Sequence, residues 1–111
     1  MTSEEITLKI LKTLEERSDL TQRELAAKLG VSLGRTHYLL RSLIDVGMIK
    51  LQRFQRSSNK WGYAYLLTPK GLAGKAVITL RYLNQKQEEF EKLQRDIELL
   101  KAETDAYNSG E

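Results

Sequence analysis

The sequence predicts a mainly α fold with one small β-hairpin, closed by a long C-terminal helix of coiled-coil character. Three observations carry this. Apolar residues recur at spacings of three and four through residues 3–45, interrupted by two short turns. After Gly47 the spacing changes to two, over two runs separated by a polar stretch. From Pro69 onward there is no further proline, and no glycine stands between Gly74 and Gly110, so nothing in that stretch breaks a helix.

The first segment, Ser3 to Arg17, places Ile6, Ile10, Leu11 and Leu14 on one helical face, and Thr2 with Glu5 fits a capping box at its start. Ser18-Asp19-Leu20 reads as a turn. In the second segment Thr21 and Glu24 form another capping box and Gly30 supplies a left-handed stop; Leu25, Ala26 and Leu29 face inward, and Ala26 and Ala27 are small enough for another helix to approach. The third segment starts at the N-cap Ser32 and stops at Gly47. Its inner face is Thr36, Leu40 and Leu43, helped by Leu39 and Ile44, which leaves Leu33, Gly34, Arg35, His37, Tyr38 and Arg41 outside. Two helices joined only by Gly30-Val31-Ser32 make a helix-turn-helix.

Ile49 to Phe54 and Trp61 to Leu67 read as two strands, with Gln55-Arg56-Ser57-Ser58-Asn59-Lys60 as a polar, basic loop between them. The pair is a hairpin beside the helices, a wing. Thr68-Pro69 caps and opens the last helix, whose first turns Gly71 and Gly74 weaken. A helix from Pro69 to about Thr104 would be roughly 54 Å long at 1.5 Å per residue, too long to lie wholly on one small domain. Ala76, Leu83, Phe90, Ile97 and Thr104 lie seven apart, and Leu72, Thr79, Lys86, Leu93, Leu100 and Tyr107 form the second seam, with Lys86 as its defect. This heptad predicts dimerisation through Leu83, Phe90, Leu93, Ile97 and Leu100, in either orientation; the simpler alternative is a helix folded back on its own domain. Ser109-Gly110-Glu111 reads as a frayed end. The expected organisation is thus a winged helix-turn-helix domain over residues 3–68 and a dimerisation helix over 69–105.

Composition narrows the chemistry. The chain has 111 residues, 41% hydrophobic and 30% charged, the balance of a globular protein. No apolar run reaches the length of a membrane span, and the acidic start Met1-Thr2-Ser3-Glu4-Glu5 lacks the order of a signal peptide, so a cytoplasmic protein is expected. There is no cysteine and only one histidine, His37, so neither a metal site nor a catalytic constellation is expected, and no cofactor. The acids Glu15, Glu16 and Asp19, and Glu88, Glu89 and Glu91, read as solvated helix faces, and the chain is not expected to be an enzyme. Net charge is only +3, but residues 31–60 carry six bases against one acid, a local +5, while residues 69–111 carry seven bases against eight acids. Such a patch either attracts a polyanion or is an ordinary solvated face.

A helix-turn-helix beside a basic hairpin suits duplex DNA. The major groove admits one helix, and the third segment can present Ser32, Leu33, Gly34, Arg35, His37, Tyr38 and Arg41 to it. Arg35, in the first turn, is placed to read a guanine edge; Gly34 permits close backbone approach; Arg41, almost two turns later, reaches a phosphate. Thr21, Gln22 and Arg23 begin the second helix, whose amides and dipole favour a phosphate. Arg53, Arg56, Ser57, Ser58, Asn59 and Lys60 form the wing contact, in the minor groove or along the backbone. Each has a plainer reading. Arg35 and Arg41 fit ordinary exposed positions, His37 fits a simple surface residue better than a pH-sensitive contact, and Tyr38 fits the rim of the core equally well. Trp61, Tyr63 and Tyr65 are better read as packing residues than as a stacking stripe for single strands.

The order and wording of these motifs resemble a known family. Leu20-Thr21-Gln22-Arg23-Glu24-Leu25-Ala26-Ala27-Lys28-Leu29-Gly30-Val31-Ser32 is similar to the helix-turn-helix of bacterial winged-helix regulators. Leu40-Arg41-Ser42-Leu43-Ile44-Asp45-Val46-Gly47-Met48-Ile49 looks like the close of their recognition helix. Leu66-Leu67-Thr68-Pro69-Lys70-Gly71 resembles the L-T-x-x-G exit from the wing in the MarR family, and within it the chain is most similar to the small regulators associated with exopolysaccharide gene clusters. The resemblance covers about residues 6–75. It implies a homodimeric transcriptional regulator that binds double-stranded DNA at an inverted repeat, with the recognition role on Leu33 to Arg41 and the wing role on Arg53 to Lys60. The chain departs from typical members in its minimal N-terminal addition and single C-terminal helix, so no small-molecule effector is expected. Two other functions compete: a winged-helix protein–protein interaction module that uses the coiled coil, and an RNA or single-strand binder, which requires Trp61, Tyr63 or Tyr65 to be exposed.

Overall fold

Thr2 takes extended backbone and accepts the Glu5 N–H at 3.1 Å, which starts α1 (Ser3–Glu16). Thr21 and Glu24 close a full capping box at the head of α2 (Gln22–Leu29): the Thr21 hydroxyl accepts the Glu24 N–H and the Glu24 carboxylate accepts the Thr21 N–H, each at 3.1 Å. Gly30 ends α2 at φ 71°, a left-handed conformation that costs glycine nothing. Ser32 accepts the Arg35 N–H at 3.1 Å and opens α3 (Leu33–Asp45). The hairpin follows as β1 (Ile49–Ser57) and β2 (Lys60–Leu67), and α4 (Pro69–Ser109) completes the chain. This computed structural model describes residues 1–110.

The strands pair antiparallel, with Ile49 opposite Leu67, Leu51 opposite Tyr65, Arg53 opposite Tyr63 and Gln55 opposite Trp61. At the tip the register shifts so that Ser57 faces Lys60, leaving Arg56 as the extra residue of a bulge. The polar loop expected over residues 55–60 is therefore shorter. Gln55, Arg56 and Ser57 stay in β1 and Lys60 opens β2, with only Ser58-Asn59 turning. Among the described residues no non-glycine residue takes a positive φ, so this turn lacks the backbone of the favoured two-residue hairpins, and the bulge stands beside it.

Ile6, Ile10, Leu11 and Leu14 of α1, Leu25 and Leu29 of α2, and Leu39, Leu40 and Leu43 of α3 form the core with Ile49 and Tyr65 of the hairpin. Ala26 is buried but Ala27 is exposed, so only the first of the two small residues lies at a helix contact. Thr36, the one buried polar residue among the described residues, donates its hydroxyl to the Ser32 carbonyl at 2.9 Å. The segment read as a plain turn does more: Leu20 is buried in the core, the Ser18 carbonyl accepts the Tyr65 N–H at 2.9 Å, and the Asp19 carbonyl accepts from the Arg56 guanidinium at 3.1 Å. That turn anchors the wing.

Two compact units divide the chain, Met1–Thr79 and the remainder of the helix from Leu80. In the first, the start of α4 is tied down closely. Thr68 accepts the Gly71 N–H at 3.0 Å, and its own hydroxyl bonds the Gly47 carbonyl. A Cβ on Gly71 would stand 2.0 Å from the Met48 carbonyl oxygen, so glycine is required for this approach rather than merely weakening the helix. Lys75 pairs with Glu15 of α1, and Ile78 packs on the core. In the second unit the helix runs to Ser109, beyond the expected end near Thr104. Neither glycine nor proline interrupts it, and the Thr104 and Ser109 hydroxyls bond back to the Leu100 and Asp105 carbonyls at 2.9 and 2.7 Å. Ser109 is thus helical rather than frayed, and Glu111 lies outside the described residues. Among the described residues no helix is long and apolar enough to cross a membrane.

Candidate nucleic-acid interface

The burial of Thr36, Leu39, Leu40 and Leu43 fixes which way α3 faces, because residues three and four apart share a face. Leu33, Gly34, Arg35, His37, Tyr38 and Arg41 are left outside, all exposed. Tyr38 is 69% exposed and so is no part of the core rim. Arg35 extends to the Ser3 hydroxyl at 3.3 Å, and Arg41 pairs with Asp45 at 3.7 Å. Both contacts lie at the surface, where such a pair contributes about 0–1 kcal/mol, so either guanidinium can exchange its partner for a phosphate or a base edge.

His37 is held from behind. Its Nδ1 lies 3.1 Å from Gln22 Oε1, and Gln22 Nε2 donates to the Tyr65 hydroxyl at 3.1 Å. An amide oxygen only accepts, so the imidazole donates from Nδ1 and, when neutral, presents Nε2 as an acceptor. These bonds join α3, α2 and the wing through one side chain. Gln22, singled out in the sequence for its place at a helix start, therefore serves as a tie. No local spacing signals it, because its partners lie 15 and 43 residues away.

At the head of α2, Arg23 is exposed, whereas Thr21 spends its hydroxyl oxygen and its N–H on the capping box. The Thr21 N–H holds the Glu24 carboxyl below its ordinary range, and the Arg17 side chain, donating to Asp19 at 3.2 Å, does the same for Asp19. Both acids are thus engaged beside the positive wing rather than opposing it as loose charge.

On the wing, Arg53, Arg56, Ser57, Ser58, Asn59 and Lys60 are all exposed. The Arg53 guanidinium lies over the Trp61 ring, 4.4 Å from its centroid, as diagonal neighbours across the strand pair allow. Arg56 is folded inward onto the Asp19 carbonyl and against Gly62, so it braces the wing. The three aromatic residues divide. Tyr65 is buried, as expected, but Trp61 and Tyr63 are each 55% exposed and do not pack. All three share one face of the strand, and only its end near Leu51 overlies the helices. A groove of about 490 Å³ lies there, lined by Thr21, Gln22, Arg56, Trp61, Tyr63 and Tyr65. No group of three or more metal-ligating side chains occurs among the described residues.

A domain of this order, with its helix pair, two-stranded wing and outward cationic face, is a winged helix-turn-helix. The family profile described as "Winged helix-turn-helix DNA-binding" matches residues 3–50. Solved structures extend the likeness. The chain is similar to the PcaV transcriptional regulator from Streptomyces coelicolor, with 16% identity and a TM-score of 0.63 over 93% of this chain and 78% of that one. It is similar to MepR, a transcription regulator of the Staphylococcus aureus multidrug efflux pump MepA, with 22% identity and a TM-score of 0.58 over 99% of this chain and 78% of that one. A MarR transcriptional regulator from Methanosarcina mazei Go1 has 21% identity and a TM-score of 0.53 over 84% of this chain and 74% of that one. At such identities the likeness concerns the fold. No curated protein matches the chain in sequence.

Proposed function

We propose that this protein is a cytoplasmic transcriptional regulator that binds double-stranded DNA in sequence-specific fashion, as a homodimer on an inverted repeat. The observation that carries the proposal is the outer face of α3. Arg35, His37, Tyr38 and Arg41 stand out together from a helix whose opposite side is locked into the core. A helix so presented enters the major groove with its first turns against the bases, while a wing bearing Arg53 and Lys60 reaches the flanking backbone. On this reading Arg35 pairs with a guanine edge and His37 Nε2 accepts from a base amino group. Arg41, Arg23, Arg53 and Lys60 neutralise phosphates, and Ser32, Ser57, Ser58 and Asn59 donate to the backbone. Gly34 lets the helix come close. The resemblance to regulators of exopolysaccharide clusters makes polysaccharide genes the first targets to examine.

Changing Arg35→Ala together with Arg41→Ala tests this. One bidentate base contact is worth about 1–3 kcal/mol, so affinity for a specific duplex should fall about 10- to 100-fold while the fold persists. Unchanged affinity in the folded double variant overturns the proposal.

The exposure of Trp61 and Tyr63 favours a second reading, a platform for unpaired bases. The Arg53 guanidinium over the Trp61 ring stands against it, since it covers a stacking face. Competition between duplex and single strands of one sequence separates the two.

A further inference from the structure

We infer that the helix from Leu80 onward pairs with a second copy of itself, parallel and in register. This rests on the homodimer reading above and adds its orientation. Leu83, Phe90, Leu93, Ile97 and Leu100 are all exposed, with Phe90 at 62%, yet they follow one another at spacings of seven, three, four and three along one face. An apolar seam of this regularity, on a helix whose other exposed leucines, Leu80 and Leu99, stand off it, leaves a face that another helix of the same period covers.

The flanks of the seam choose the orientation. With Leu83, Phe90 and Ile97 at one core position and Leu93 and Leu100 at the other, one flank carries Glu89, Asp96 and Glu103 and the other Gln87, Gln94 and Lys101. In an antiparallel pair each flank meets its own kind, so the acidic row faces an acidic row whatever the register. In a parallel pair each flank meets the other kind, and Asp96 reaches Lys101 of the second copy, twice per dimer by symmetry. Lys86 is the apparent objection, since parallel pairing sets it opposite its own copy. Its ammonium is drawn out of the seam, however, to Glu89 on the same helix at 3.1 Å and over the Tyr82 ring at 5.2 Å. Parallel helices also enter the seam from the same end, which suits two winged domains that must reach neighbouring half-sites.

Because the chain contains no cysteine, single reporters are clean. Full-length Leu83→Cys and Leu100→Cys are oxidised separately and as an equimolar mixture, after sedimentation under reducing conditions. Parallel pairing predicts that each variant alone forms a disulfide-linked dimer. If neither does so alone and only the mixture cross-links, the helices are antiparallel and the inference falls while the dimer stands. A monomer by sedimentation, with no cross-link in either case, overturns the homodimer reading itself. Should a seam substitution unpair the reduced helices while the parent chain dimerises, spin labels on Ala102→Cys, outside the seam, read the same geometry. They lie level in a parallel pair. In the antiparallel pair that sets Leu83 against Leu100, centred between residues 91 and 92, they stand apart along the axis by about 32 Å, at 1.5 Å per residue.

Discussion

Replacing Gly71 by alanine should destabilise the winged domain, although alanine is the better helix former. The added Cβ would lie 2.0 Å from the Met48 carbonyl oxygen. A carbon–oxygen contact settles at about 3.3 Å, so α4 or the start of β1 must retreat by about 1.3 Å. The same carbonyl accepts the Thr68 N–H at 3.1 Å, and that bond is lost in the retreat. Overpacking costs about 1–3 kcal/mol and an abandoned hydrogen-bond partner about 1–3 more, against a helix-propensity gain of at most about 1. The net is a loss of about 1–5 kcal/mol, at roughly 4–8 °C in Tm per kcal/mol for a domain of this size. Thermal unfolding followed by circular dichroism reads it, with Gly34→Ala as the control. There an added Cβ meets nothing within 4 Å. Gly34→Ala should leave Tm unchanged or raise it by a few degrees. A Gly71→Ala protein as stable as the parent would refute the close approach of α4 to Met48.

Further outcomes follow from the same geometry. Thr21→Ala should cost about 1 kcal/mol in urea unfolding, through loss of the cap on α2. Glu24 has its carboxyl held below its ordinary 4.5, so its contribution is complete above that pH and is lost as pH falls through the depressed folded value; Glu24→Gln should lower stability by a constant amount above pH 4.5 and flatten the profile below it. Each of Arg53→Ala and Lys60→Ala should reduce the slope of log affinity against log salt by about 0.9 if the residue contacts a phosphate, and an unchanged slope removes that residue from the interface. Gln22→Ala frees the His37 ring and should lower affinity for the selected sequence more than for random duplex; equal losses would show that the tie to Tyr65 plays no part in recognition. Trp61, the sole tryptophan, should emit as a solvent-exposed indole and respond to duplex binding, with indifference to duplex placing the outer wing away from DNA.

The helices were legible because their signals are local. Thr21 with Glu24, Ser32 and Gly30 announce caps within four residues of themselves, and the spacing of Thr36, Leu40 and Leu43 fixes both the buried and the outward face of α3. The contacts that position the interface were not local. Gln22 meets His37 and Tyr65 across the fold, Arg56 turns inward to Asp19, and Leu20 is buried within what reads as a polar turn. Alternation placed Trp61, Tyr63 and Tyr65 on one face. It does not say how far along the strand the helices reach, which is why Tyr65 packs while the other two stay in solvent. Gly71 shows the same limit, since propensity records only its cost to a helix, and its purpose is visible only with Met48 beside it.

The central claim is that the outer face of α3 reads base sequence in duplex DNA. Selection from a random duplex library at near-physiological salt tests it most directly. The expected result is enrichment of an inverted repeat whose half-sites lie about one helical turn apart, roughly 34–36 Å, and loss of that enrichment in the Arg35→Ala, Arg41→Ala double variant. A folded protein that enriches no motif would contradict it, and would turn attention from α3 to the C-terminal helix as the functional surface of the chain.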